Sequence, residues 1–134
     1  MPRKERVVVF AIGAVGYPIL ETLYRGRTHW SMSLAGGACF SAIYAVHKSG
    51  RPLLSRCARA AACVTGIEFA VGLVVNRWLR LGVWDYSKNR WNVMGQVCPR
   101  FAAVWLGVSA LASPVCHGLR LYFSRPIAYN QKQS

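Results

Sequence analysis

Apolar positions along this chain neither alternate nor keep to a narrow stripe. They gather in four long runs, at about 7–24, 28–47, 60–76 and 101–119, separated by short segments rich in arginine and lysine. A bilayer's hydrocarbon core is ~30 Å thick and takes ~20 residues of α-helix, with a range of ~17 to 25, so every run is long enough to cross it. The alternation expected of a transmembrane barrel is missing. Helices are then the remaining way to satisfy each backbone amide and carbonyl in lipid. One such run alone could be a buried helix of a soluble protein; four in series predict an all-α transmembrane bundle of four helices. The bundle would occupy residues 1–126 as a single domain, with a polar tail at 127–134. The basic start Met1–Arg6 and the run after it look like a secretory signal. No small-x-small cleavage site follows and three further runs do, so the first run reads as an uncleaved span.

Each run also carries small or polar residues at helical spacing. These are Gly13, Gly16, Tyr17 and Glu21 in the first, and Ser33, Gly37 and Ser41 in the second. The third has Thr65, Glu68, Gly72 and Asn76, and the fourth Ser109 and Ser113. Small residues four apart let helices approach closely, so packing is their first meaning. In the third run the stripe includes an acid, which marks a polar face. Pro18 and Pro114 each remove a backbone donor and clash with the carbonyl four residues earlier, predicting kinks in the first and fourth helices.

Composition sharpens this picture. The 134 residues are 54% hydrophobic and carry a formal net charge of +13. In a soluble chain that charge would point to nucleic acid. Here the basic residues lie between apolar runs, where they meet anionic lipid headgroups, so the bilayer and its acidic headgroups are the expected partners and nucleic acid is not. The N-terminal end, the turn from Lys48 to Arg59 and the tail from Arg120 hold ten of the 17 basic residues. By the positive-inside rule this places both termini in the cytoplasm, on a shallow bias. The five cysteines show no CxxC spacing and the three histidines no HxxxH, so neither a disulfide framework nor a metal site is expected. No nucleotide-binding or hydrolase motif is present, and no cofactor is expected.

Only four acids remain to carry chemistry: Glu5, Glu21, Glu68 and Asp85. Glu5 sits in a basic end and reads as solvated. Glu68 lies within an apolar run, where a carboxylate costs ~2.5 to 3.5 kcal/mol on insertion scales unless it is satisfied. It reads either as a polar anchor between helices or as the lining of a solute, ion or proton path. Glu21 is explained by an i, i+4 pair with Arg25, or, facing the same cavity as Glu68, as a second acid along a cation route. Asp85 suits a turn cap or a pair with Arg77, Arg80 or Arg90. In the transport reading it stands near one end of the polar cavity around Glu68. Asn76, Asn92 and Gln96 are neutral hydrogen-bonding groups placed to close a polar mouth. Trp84, Tyr86 and Trp91 read as interfacial anchors between the third and fourth helices.

The set Glu68-Phe69, Gly72, Trp84-Asp85-Tyr86-Ser87, Asn92, Gly95 and Trp105 is similar to a family of small membrane proteins. It is known as putative ABC-transporter type IV, or putative ABC-transporter permeases. A looser match covers Gly16-Tyr17, Glu21, Ser31-Met32 and Gly36-Gly37. Members often read Asn-Ile-x-Gly-Arg-Ile-Cys where this chain has Asn92-Val-Met-Gly-Gln-Val-Cys98, so a cation at position 96 is replaced by an amide. The resemblance implies a four-helix membrane protein and a transport role. It also implies a separate ATPase subunit, since this chain has no ATPase module. The expected function is therefore a permease- or channel-like protein, not an enzyme, moving a small solute or ion past Glu68. Four short helices seldom enclose a solvated route alone, so a homodimer or a complex with other membrane subunits is expected. The alternative is an accessory membrane protein that binds lipid or a partner and moves nothing.

Overall fold

The computed structural model describes residues 3–26 and 28–133, and of Arg25 and residues 125–133 the backbone alone. Four helices form: α1 (Arg3–Arg25), α2 (Trp30–His47), α3 (Leu53–Gly72) and α4 (Pro99–Gln133). A π-helical turn, Leu73–Trp78, continues α3 directly. Among the described residues there is no strand, only an isolated bridge between Val93 and Val97. α1 and α4 run through Pro18 and Pro114 without interruption. The backbone of 127–133, expected as a separate tail, continues α4.

Among the described residues three stretches are long and apolar enough to cross a membrane: Arg3–Tyr24, Leu53–Trp78 and Pro99–Ser124. The second run, expected as a span of the same kind, is not among them. Its helix is the innermost, packed on α1, α3 and α4. Ser31, Gly36, Gly37, Tyr44 and His47 are all buried in α2. Side chains that face protein need not be lipophilic, so α2 can hold small and polar residues that a lipid-facing helix could not.

Glycine sets the α1–α2 approach. A Cβ at Gly13 would strike the Gly36 carbonyl oxygen, and one at Gly36 would strike the Cβ of Tyr17. Gly16, in the same stripe of the sequence, faces open space. Of the small residues on α1, then, Gly13 is the one that the packing requires.

Two buried clusters follow from this arrangement. One joins Val9 of α1, Tyr44 of α2, Val64 of α3 and Cys116 of α4. The other gathers Met32 and Ala35 of α2 with Trp84, Tyr86 and Cys98 from the connection between α3 and α4. The first lies toward the end holding the start of α1 and the end of α2. The second lies at the opposite end.

Near the first end the expectation for Glu5 fails. Glu5 is only 5% exposed, accepts a hydrogen bond from the Tyr44 hydroxyl, and pairs with Lys48 Nζ at 3.0 Å. A basic neighbourhood leaves an acid solvated only if no cation can reach it, and the end of α2 brings Lys48 to it. Beside this pair, buried His47 donates from Nε2 to the Ser109 carbonyl at 2.9 Å and accepts at Nδ1 from Arg56 at 3.3 Å. A carbonyl can only accept, so the proton sits on Nε2 and the ring is neutral in this arrangement. Arg120 then donates to the His47 carbonyl at 3.2 Å, tying α4 to the end of α2.

Candidate functional site

Glu68 sits on the inner face of α3 and is 5% exposed. Its two carboxylate oxygens are reached from two other helices. The Tyr17 hydroxyl of α1 donates to Oε1 at 3.3 Å, and the Trp105 indole N–H of α4 donates to Oε2 at 3.1 Å. The rings of Tyr17 and Trp105 also pack on each other, with centroids 5.7 Å apart. Hydrogen bonds of this kind offset the cost of removing a carboxylate from water, and the local low dielectric strengthens them. The acid therefore joins three helices at one point.

Glu21 follows Tyr17 by one turn of α1 and is 8% exposed. It accepts from the Thr28 hydroxyl at 3.3 Å. Tyr17 donates to Glu68 and stands one turn of α1 before Glu21. The two acids expected to share a path thus flank a single tyrosine. The expected pair of Glu21 with Arg25 lies outside the described side chains.

Toward the connection between α3 and α4, a second polar knot begins. The π turn presents Asn76, whose Nδ2 donates to Gln96 Oε1 at 2.9 Å. Its own Oδ1 accepts from the backbone amides of Val83 at 2.7 Å and Trp84 at 3.4 Å. A π turn adds one residue to the helical circuit and re-aims the side chains after it, a device common at functional sites. Gln96 is buried, donates to the Met94 carbonyl, and its backbone carbonyl accepts from the Trp84 indole at 2.9 Å. A Cβ on Gly72 would run into the Gln96 amide oxygen, so glycine there leaves room for the Gln96 side chain against α3.

The other residues expected at the mouth serve the loop itself. Asp85 is exposed, and its carboxylate accepts from the Ser87 amide at 2.9 Å. That amide, with the Ser87 side chain, holds its carboxyl below the ordinary aspartate range. Asn92 donates to the carbonyls of Ser87 and Asn89 and accepts from the Gly95 amide, closing the loop on itself. Three non-glycine residues in the segment, Arg80, Trp91 and Met94, have positive φ, with Gly82 and Gly95 beside them. Such backbone is held only where surrounding contacts over-determine it.

Of the three aromatics expected as interfacial anchors, Trp84 and Tyr86 turn inward and are buried. Tyr86 stacks on Phe101 with centroids 4.6 Å apart. Only Trp91, 74% exposed, is free to lie in a headgroup region.

The structure therefore brings together Glu68, Tyr17 and Trp105 at one point, with Glu21 one turn of α1 beyond Tyr17, and Asn76 with Gln96 at a second. It leaves Asp85 and Asn92 on the outer loop. Trp105 and Tyr17 are the donors that reading acids alone overlooks. The signal available in sequence was the i, i+4 spacing of Tyr17 and Glu21, which puts both on one face of α1. Among the described residues no His/Cys/Asp/Glu group could hold a metal ion.

The chain is an integral membrane protein by its apolar helices. No curated protein and no solved structure matches it. A family model described as putative ABC-transporter type IV matches residues 7–132, nearly the whole chain, and the protein belongs to that family.

Proposed function

We propose that this transport-related membrane protein is a small permease- or channel-like subunit, in which Glu68 is the binding point for a proton or small cation. The observation that carries the reading is an acid in an apolar span, buried where three helices meet. Its hydrogen-bonding tyrosine stands one turn of α1 before a second buried acid, Glu21. Intramembrane acids in such positions are costly and are kept for ion and proton pathways or for pairing. The Asn76–Gln96 knot would form the polar mouth on the side of the connecting loop. α2 completes the bundle as its fourth, inner span, and the termini face the cytoplasm. A route of this kind needs more wall than four helices supply, so the working unit is a homodimer or a complex with other membrane subunits, driven by a separate ATPase subunit if it pumps. No catalysis is involved.

The test is flux in proteoliposomes carrying an imposed pH or sodium gradient and an entrapped dye sensitive to the same ion. Wild-type protein should dissipate one of the gradients faster than empty vesicles. Glu68→Gln should abolish this at unchanged abundance and fold, and an unchanged rate in that variant removes the mechanism.

A second reading rests on one specific feature. Both carboxylate oxygens of Glu68 already accept from Tyr17 and Trp105, as a clamp between helices would require. In that reading the protein is an accessory subunit that binds lipid or a partner and moves nothing. Absence of flux in wild-type vesicles, with stable co-purification of a larger membrane protein, would favour it.

A further inference from the structure

α1 and α4 are bridged by rings at one end, Tyr17 on Trp105 and Tyr24 on Phe101, and separate toward the other. There they leave an open-sided crevice of about 720 Å³. Its walls are Val7 and Val8 of α1 and Leu119 and Phe123 of α4, and its mouth is set with Arg3 and Lys4. Val7 is 60% exposed and Val8 37%, so the walls are uncovered by the chain itself.

Phe123 also borders a second hollow, of about 560 Å³, with Lys48, His117 and Arg120 around it. Glu5 is the acid lining it, and its charge is already matched by Lys48. His117 and Arg120 in turn line a third hollow with Arg56 and His47. Apolar walls thus lead to a polar recess in which positive charge predominates.

We infer that this crevice holds one anionic phospholipid, its acyl chains against Val7, Val8 and Leu119 and its phosphate between Lys4 and Arg120. Charge complementarity selects this occupant. A second copy of the chain would bring the same surplus of positive charge to the mouth. A neutral lipid would leave Arg3, Lys4 and Arg120 without a counter-charge. The order of residues also fits a lipid standing upright. Arg3 and Lys4 precede Val7 and Val8 by one turn of α1, so the cations stand at headgroup depth where the valines stand at acyl depth. Tyr122, exposed on α4, lines the same crevice as the cations, and amphipathic rings of this kind are favoured at a headgroup boundary. This site is at the opposite end of the bundle from Glu68 and does not depend on transport.

The full chain, purified in a non-ionic detergent and given phosphatidylglycerol or phosphatidylcholine, tests the assignment by native mass spectrometry and thermal unfolding. One phosphatidylglycerol per chain should stay bound, on the order of tenfold more tightly than phosphatidylcholine, and should raise the unfolding temperature. The doubly neutralised variant Arg3→Gln/Lys4→Gln should lose that preference and that shift. Its unfolding temperature without lipid should stay at the wild-type value, because both side chains are exposed. Arg120→Gln should lose them too, but it also breaks the bond to His47, so the double variant decides. Neutralising Arg77 and Arg80, at the other end, should change neither. Equal retention of phosphatidylcholine would overturn the inference. So would phosphatidylglycerol binding that falls equally when Arg77 and Arg80 are neutralised, since that is general attraction to a basic surface. Protection of the crevice by a second copy, seen as a dimer whose Val8→Cys chains cross-link, would overturn it as well.

Discussion

A carboxylate held by two ring donors makes a specific demand on its neighbours. Removing Glu68 as alanine leaves the Tyr17 hydroxyl and the Trp105 N–H, both on half-buried rings, without their acceptor. Each orphaned group costs about 1–3 kcal/mol, so Glu68→Ala should lower stability by several kcal/mol in detergent unfolding. Glu68→Gln keeps one acceptor oxygen and should cost less than half of that. Tyr17→Phe removes a single donor and should cost about 1 kcal/mol. Equal losses for Gln and Ala would show that the acid's charge, and not its hydrogen bonding, holds the helices together. At this scale the sequence singled out Glu68 but gave no sign of what holds it. Glu68 stood out because an apolar run surrounded it. Glu5 was misjudged because its partners, Tyr44 and Lys48, lie about forty residues away and only the fold brings them near. Asp85, expected both as a turn cap and near one end of the cavity, is exposed and accepts from the Ser87 amide.

Elements in this molecule are separated by what glycine permits. Gly13→Ala should destabilise the α1–α2 pair, because its methyl meets the Gly36 carbonyl and backbone cannot step aside cheaply. Gly16→Ala, facing open space, should be neutral or stabilise by about 0.5–1 kcal/mol through helix propensity. Paired unfolding measurements on the two variants check this, and a reversal of their order would mean that α1 is rotated. The connection between α3 and α4 makes a second demand. Asn76→Ala removes the acceptor for two backbone amides and the donor to Gln96, so the loop should open. Limited trypsin digestion at Lys88 or Arg90 should then run at least tenfold faster, since cleavage follows the population of the open loop. The four helices were legible because apolar runs of that length have few alternatives. The π turn was not, because Leu73–Trp78 has the same composition as an ordinary last turn and its register is fixed by Gln96 from beyond the loop. Trp84 and Tyr86 read as lipid anchors for a related reason: an aromatic beside charges looks the same whether it faces headgroups or folds under its own loop.

For the molecule as a whole, one end gathers the start of α1, the end of α2 and the latter part of α4, and the other carries the 79–98 loop. With all four helices crossing, a thiol placed at Thr28 and one placed at Gly50, on either side of α2 and both exposed, should react with an impermeant reagent from opposite faces of the membrane. Labelling of both from one face would mean that α2 does not cross, and would remove the four-span bundle while leaving three spans. The asymmetry among the helices has a further consequence for assembly. A segment whose polar groups are masked only by its siblings has little to gain from oil by itself, so α2 should be the last to settle and should depend on α1 to escort it. Severed from that escort, it should slip back toward water and be cleared by quality-control proteases, while α1 alone stays embedded. The innermost helix is thus the one whose residence in the membrane is borrowed from its company.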